Sequence, residues 1–156
     1  LRRDEKEITA RREIDEVIRG AQVCHLGLAV DGEPYVVPMS FGYDGIAVYF
    51  HTAQEGRKID MIASNPRVCV EFERHVELVT SDTKACKWTF SYESVVAYGD
   101  IEELSSPKDR ARGLNQIMRQ YSGRDWKFDE PVFAKTRIWM VTLREISGKR
   151  SVRKAT

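Results

Sequence analysis

Val23-Cys24-His25-Leu26-Gly27-Leu28-Ala29-Val30-Asp31-Gly32-Glu33-Pro34-Tyr35-Val36-Val37-Pro38-Met39-Ser40-Phe41-Gly42-Tyr43-Asp44-Gly45-Ile46-Ala47-Val48-Tyr49-Phe50-His51-Thr52 is three apolar runs separated by two Asp-Gly pairs. Asp-Gly accepts the positive φ angles that a tight hairpin turn requires. The stretch therefore predicts three antiparallel strands, over residues 23–30, 34–43 and 46–52, joined as a meander. Pro38 has no N–H to give to a ladder. The second strand is at that point an edge, a bulge or a gap facing a bound group.

The periodicity changes on both sides of this stretch. Upstream, Ile14, Val17, Ile18 and Ala21 make one apolar stripe, so residues 10–21 predict a helix with Thr9 as N-cap and Gly20 near its end. Downstream, Ile59, Ile62 and Ala63 mark a helix over residues 55–65, stopped by Asn65-Pro66. Residues 68–80 alternate in part and predict a strand. Residues 81–85 are polar and predict a loop. Residues 88–104 predict one long strand bent at Gly99. Ser106-Pro107 opens another helix, with Ser at the cap, Pro in the first turn and Asp109 suiting the helix dipole. Ala111, Leu114, Ile117, Met118 and Tyr121 are its predicted buried face. Residues 122–130 predict a loop and residues 136–146 a last strand. From Gly148 onward, with Lys149, Arg150, Arg153 and Lys154, the expectation is a flexible, disordered tail. Helices are inserted between antiparallel hairpins rather than alternating with strands. That order predicts a mainly β fold, an antiparallel, Greek-key-like barrel with peripheral helices. Neither a GxGxxG nor a GxxxxGK[ST] motif is present.

The chain has 156 residues and reads as a single domain over residues 1–156. Lys plus Arg number 25 against 24 Asp plus Glu, which gives no electrostatic reason to expect nucleic acid or an anionic membrane as partner. No apolar stretch reaches the length of a membrane span. Cys24, Cys69 and Cys86 are odd in number and without a CxxC spacing, which fits reduced thiols in a cytoplasmic protein. The N-terminus lacks the apolar segment of a secretory signal, and without an initiator Met its true start is not fixed. His25, His51 and His75 are scattered, so no metal site is expected. His25 is expected in the core and His75 in solvent. Trp88, Trp126 and Trp139 are expected as packing residues, with Trp139 the one most suited to line a cleft. Cys86, between Lys84 and Lys87, is expected in a structural or interface role.

Chemistry concentrates in Tyr49-Phe50-His51-Thr52-Ala53-Gln54-Glu55-Gly56-Arg57-Lys58. A strand ends there and a helix begins. A helix N-terminus offers free N–H groups and the positive end of a dipole, and Gly56 permits close approach. Arg57 adds a fork of donors, Lys58 a point charge and Thr52 a hydroxyl. These are the parts of a phosphate-binding site. On spacing alone a second reading stays open, in which Arg57 and Lys58 are solvated and His51 merely ends a strand.

The run 34–43, then Tyr49-Phe50-His51-Thr52-Ala53, Gly56-Arg57-Lys58 and Asn65-Pro66-Arg67-Val68, resembles the pyridoxamine 5′-phosphate oxidase-like superfamily. Val23-Cys24-His25-Leu26, Ala85-Cys86, Tyr92-Glu93-Ser94-Val95-Val96 with Gly99, and Ser147-Gly148-Lys149 extend the resemblance to its branch of nitroimidazole-resistance proteins. The resemblance implies a split β-barrel homodimer with one FMN in each of two clefts at the dimer interface. It implies a flavin phosphate near Arg57 and Lys58, Pro38, Met39 and Ser40 beside the isoalloxazine ring, and His51 and Thr52 near the ring or ribityl chain. His51 is then the candidate acid–base group. The substrate-phosphate cluster and Arg-rich C-terminal signature of true pyridoxamine phosphate oxidases are missing, so vitamin B6 oxidation is not expected. The expected activity is an FMN-dependent oxidoreductase, taking hydride from a nicotinamide or another donor to an electron-poor small molecule such as a nitroaromatic. The alternatives are a non-catalytic or regulatory flavin- or haem-binding protein on the same fold, and a deazaflavin-dependent reductase.

Overall fold

Both Asp-Gly pairs turn the chain, but the strands they join do not form one meander. The computed structural model describes residues 6–151. In it β2 (Cys24–Val30) pairs antiparallel with β3 (Glu33–Met39) around Asp31 and Gly32, both at positive φ. The ladder then breaks, and β4 (Gly42–Tyr43) pairs with β5 (Ala47–Thr52) at the far end of the sheet order. Phe41 causes the break. It turns inward, fully buried, with its ring 5.1 Å from that of Phe72. Its N–H donates to the Tyr121 hydroxyl at 3.1 Å instead of to a neighbouring strand. Among the described residues β3 pairs with β2 alone, so Pro34 and Pro38 sit on an edge strand, where a missing N–H is tolerated.

Two long strands join the halves. β6 (Arg67–Val79) pairs with β2 and with β7 (Thr89–Glu103). β7 pairs on its other side with β9 (Glu145–Ser151) over Tyr92–Tyr98, and then with β8 (Arg137–Thr142) from Ile101. Gly99 is the changeover. A Cβ there would lie 2.3 Å from the Thr142 carbonyl oxygen, so the corner between β8 and β9 needs the missing side chain. The order is β3-β2-β6-β7-β8-β5-β4, with β9 also on β7 and β1 (Glu7–Ile8) on β9. This is a mainly antiparallel split barrel with helices outside it.

Two corrections concern the C-terminal part. The last predicted strand is two strands, because the chain turns at Leu143 and Arg144, whose N–H groups donate to Ile46 O and Tyr98 O. The predicted tail is ordered as far as Ser151. Gly148–Ser151 lies in β9, with β7 on one side and β1 on the other, and Arg150 is held by Glu93 and Glu13. Residues 152–156, the rest of that expectation, fall outside the described residues.

α1 (Arg11–Gly20) buries Ile14, Val17 and Ile18, but its N-cap is Ala10 and not Thr9, without a side-chain bond. α2 (Arg57–Ser64) buries Ile59, Met61 and Ile62. α3 (Pro107–Ser122) has the predicted cap, with the Ser106 hydroxyl accepting from Asp109 N–H. Its most buried residues are Gly113 and Ile117, while Tyr121 is exposed. The face is set by contact with β4: a Cβ on Gly42 would lie 2.2 Å from the carbonyl carbon of Gln116. A short α4 (Glu130–Ala134) precedes β8. Among the described residues no helix is long and apolar enough to cross a membrane.

Candidate functional site

The predicted site residues gather where β3 ends, β5 ends and α2 begins. Along β5, Ala47 to Phe50 are buried, His51 faces out and Thr52 faces in again. The turn from Thr52 to Gly56 then leads into α2. Gly56 is the N-cap of that helix at φ 132°, a conformation that side-chain-bearing residues rarely adopt. Its carbonyl accepts from Ile59 and Asp60 N–H. No side chain caps the helix, so the N–H groups ahead of Ile59 have no intrahelical acceptor. A Cβ at Gly56 would meet nothing within 4 Å, so the cradle is open.

Lys58 is the most informative side chain. It is half-buried, and its ammonium donates to the Met39 sulfur at 3.0 Å. A thioether is a weak acceptor. Among the described residues no carboxylate lies within ion-pair distance of it. Desolvation pushes its pKa below that of a free lysine. A cation held partly out of water without a counter-ion is costly, and an anion arriving there relieves that cost.

Arg57 leans the other way. Its guanidinium lies 4.6 Å from the ring centroid of Tyr35 and 3.6 Å from Glu33, both on β3. Arg57 and Glu33 are exposed, so this pair holds the arginine weakly. Met39 is buried between exposed Pro38 and exposed Ser40. The His51 imidazole is held below its ordinary pKa, first by desolvation and then by the charge of Lys58, so it is neutral near pH 7. Thr52 is committed to the fold. Its hydroxyl accepts from the Trp139 indole N–H at 2.9 Å and donates to Ala53 O. The donors this junction could offer to a phosphate are therefore backbone N–H groups, Arg57 and Lys58.

Four features escaped the sequence reading. Tyr35 and Glu33 seat Arg57. Trp139 is buried, in keeping with the packing role expected of it, but the bond by which it braces the turn through Thr52 was not foreseen. Arg137 reaches the same turn, donating to Gln54 O. His25 is not a core residue. Cys24 and Leu26 take the inner face of β2, and His25 points out, 3.2 Å from Glu71. His75 is exposed, as expected, at a β-bulge. The three cysteines are unpaired. Among the described residues no group of three His, Cys, Asp or Glu side chains is arranged to hold a metal.

Residues 10–150 match a family described as pyridoxamine 5′-phosphate oxidase. The solved structure of a "putative 5-nitroimidazole antibiotic resistance protein" from Bacteroides thetaiotaomicron is 30% identical, with a TM-score of 0.81 over 92% of this chain and 85% of that one. An FAD and haem binding protein from Mycobacterium smegmatis shares the fold at 18% identity, with a TM-score of 0.83 over 97% of this chain and 76% of that one. Over 97 residues, 62% of its length, the chain is 30% identical to an uncharacterised protein of Rhizobium meliloti (strain 1021), of which the match spans 56%.

Proposed function

The chain belongs to the pyridoxamine 5′-phosphate oxidase family, and on that ground we propose that it is an FMN-dependent oxidoreductase working as a homodimer. The observation that carries this reading is Lys58, a half-buried cation without a carboxylate at the uncapped start of α2. A terminal phosphate supplies the missing counter-charge, accepts the free N–H groups and draws Arg57 from its weak seat on Tyr35. Pro38, Met39 and Ser40 then flank the flavin ring, with His51 beside it.

When bound, the flavin supplies hydride and electron transfer. The protein anchors the phosphate, orients the ring and limits water. His51, neutral near pH 7, is suited to take or give a proton at its ring nitrogens. The substrate class we assign is electron-poor small molecules, nitroaromatics among them, with a nicotinamide as electron donor. The 30% identity to the Bacteroides protein supports that class. Unpaired cysteines support a reducing compartment such as the cytoplasm.

Exposed apolar residues on one face of the sheet support the homodimer. Val36, Gly27, Cys69 and Tyr98 form one cross-strand row, and Leu78 and Phe90 are opposed further along the same side of β6 and β7. Val36, Leu78, Phe90 and Tyr98 are all exposed in the single chain. A second copy covering this face would remove them from water and close a cleft over the open cradle.

The first test is the spectrum of the purified protein, alone and titrated with FMN. Bound flavin absorbs near about 370 and 450 nm, and the expected result is saturable perturbation of those bands with quenched flavin fluorescence. A protein that leaves FMN unperturbed, or that carries a haem Soret band instead, overturns the reading.

A further inference from the structure

We infer that Arg137, gripped by Glu103, is a positioning residue for the turn that presents the phosphate site, an inference that rests on the flavin phosphate lying at the start of α2. Thr52 ends β5 opposite Arg137 in the β8 ladder, and the turn over residues 53–56 that follows has no ladder of its own, yet it aims Gly56, Arg57 and Lys58. Its ties run to β8 and α4. Trp139 Nε1–H donates to Thr52 Oγ1 at 2.9 Å, Arg137 Nη1–H to Gln54 O at 3.3 Å, and Gln54 Nε2–H to Ala134 O at 3.3 Å.

Arg137 and Trp139 are two residues apart on β8 and so share a face of the strand. The guanidinium carbon lies 4.6 Å from the indole ring centroid. Glu103, paired in register with Trp139, accepts from Arg137 Nε at 2.9 Å and from Nη2. A bidentate carboxylate fixes the plane of the fork. The remaining Nη1 is thereby directed at the turn, and the flat cation covers the indole that holds Thr52. One planar side chain thus serves a carboxylate, an aromatic ring and a backbone carbonyl. Lysine, with a single point charge, cannot replace it. Neither Arg137 nor Glu103 needs to touch the flavin for this role.

The test compares wild type, Arg137→Met, Glu103→Gln and Lys58→Ala by fluorescence titration with FMN and with riboflavin. Methionine keeps an apolar stem over Trp139 and loses the fork. Glutamine keeps the size of Glu103 and one acceptor oxygen. For Arg137→Met the expected result is an FMN affinity about ten-fold weaker, with riboflavin affinity unchanged. Glu103→Gln loses the same selectivity to a smaller degree. A merely structural role would weaken both flavins together, and that result overturns the inference. An unchanged FMN-to-riboflavin ratio in Arg137→Met, with the ratio lost in Lys58→Ala, also overturns it and leaves the phosphate site standing. A ratio unchanged in Lys58→Ala as well removes the phosphate from α2, and both readings fall. If Arg137→Met does not fold, Glu103→Gln decides: a wild-type ratio there overturns the inference.

Discussion

Lys58 gives its hydrogens to a sulfur atom where an oxygen would serve better. Lys58→Ala is therefore expected to weaken FMN by roughly one to two decades, because a charge-assisted bond contributes about 1.5–3 kcal/mol. Riboflavin, which lacks the phosphate, should lose little. Arg57→Ala should show the same preference, and calorimetric titration of both flavins reads it. Equal weakening of the two would move Arg57 away from the phosphate. His51 offers a second reading of the same charge. Its folded pKa lies below the free value, so stability falls as pH drops through the unfolded imidazole range near about 6.5. Lys58→Ala removes one of the two causes, and the NMR titration midpoint of His51 should rise. A midpoint that stays put would separate the two residues. If His51 transfers protons, His51→Gln should lower turnover about 10²–10⁴-fold with FMN affinity nearly unchanged. Much of this junction was legible because it is local: a strand end, a glycine and two cations lie within a few residues. The fate of the Thr52 hydroxyl was not legible, since Trp139, its partner, lies 87 positions away.

At the level of elements, alternation and turn residues marked most strands and helices, whereas the changes of partner were hidden. Residues 136–146 contain no glycine, proline or turn pair to mark a break, and the division into β8 and β9 is imposed by β7 bending at Gly99. In the same way the break after β3 comes from Phe41 finding Phe72 on a distant strand. Glycines mark such crossings, but a sequence does not say which glycine marks a close approach. Gly113 is one. A Cβ there would lie 2.8 Å from Ile138 Cγ2 and 3.0 Å from Leu104 Cδ1, side-chain atoms that can give a little. Gly113→Ala should cost about 1–3 kcal/mol of unfolding free energy, the usual range for overpacking. Gly99→Ala faces the Thr142 carbonyl, a backbone atom, and should cost more. Urea denaturation of the two variants gives the order, and a wild-type midpoint for Gly99→Ala would contradict the close approach.

For the whole molecule the expected state is a dimer burying well over about 1,000 Å². Phe90→Lys, or Leu78→Lys across from it, puts charge on the exposed apolar face without touching the barrel interior. Light scattering should then report a monomer, and FMN should bind less tightly. A flavin-loaded wild-type monomer at micromolar concentration would refute the shared cleft. The barrel itself was legible from the antiparallel hairpins. The exposed apolar cluster proposed as its dimer face was not, because Val36, Leu78, Phe90 and Tyr98 read as ordinary strand residues until register aligns them. The pairing of β1 with β9 sets an order of events as the protein is made. Ile8 packs on Gly148, where a Cβ would lie 2.8 Å from the Ile8 Cβ. On the ribosome the first strand therefore emerges long before its mate, and must wait unpaired while the helices and the other seven strands are synthesised. Completion of the sheet is a late step, taken only once the residues around Gly148 have cleared the exit tunnel.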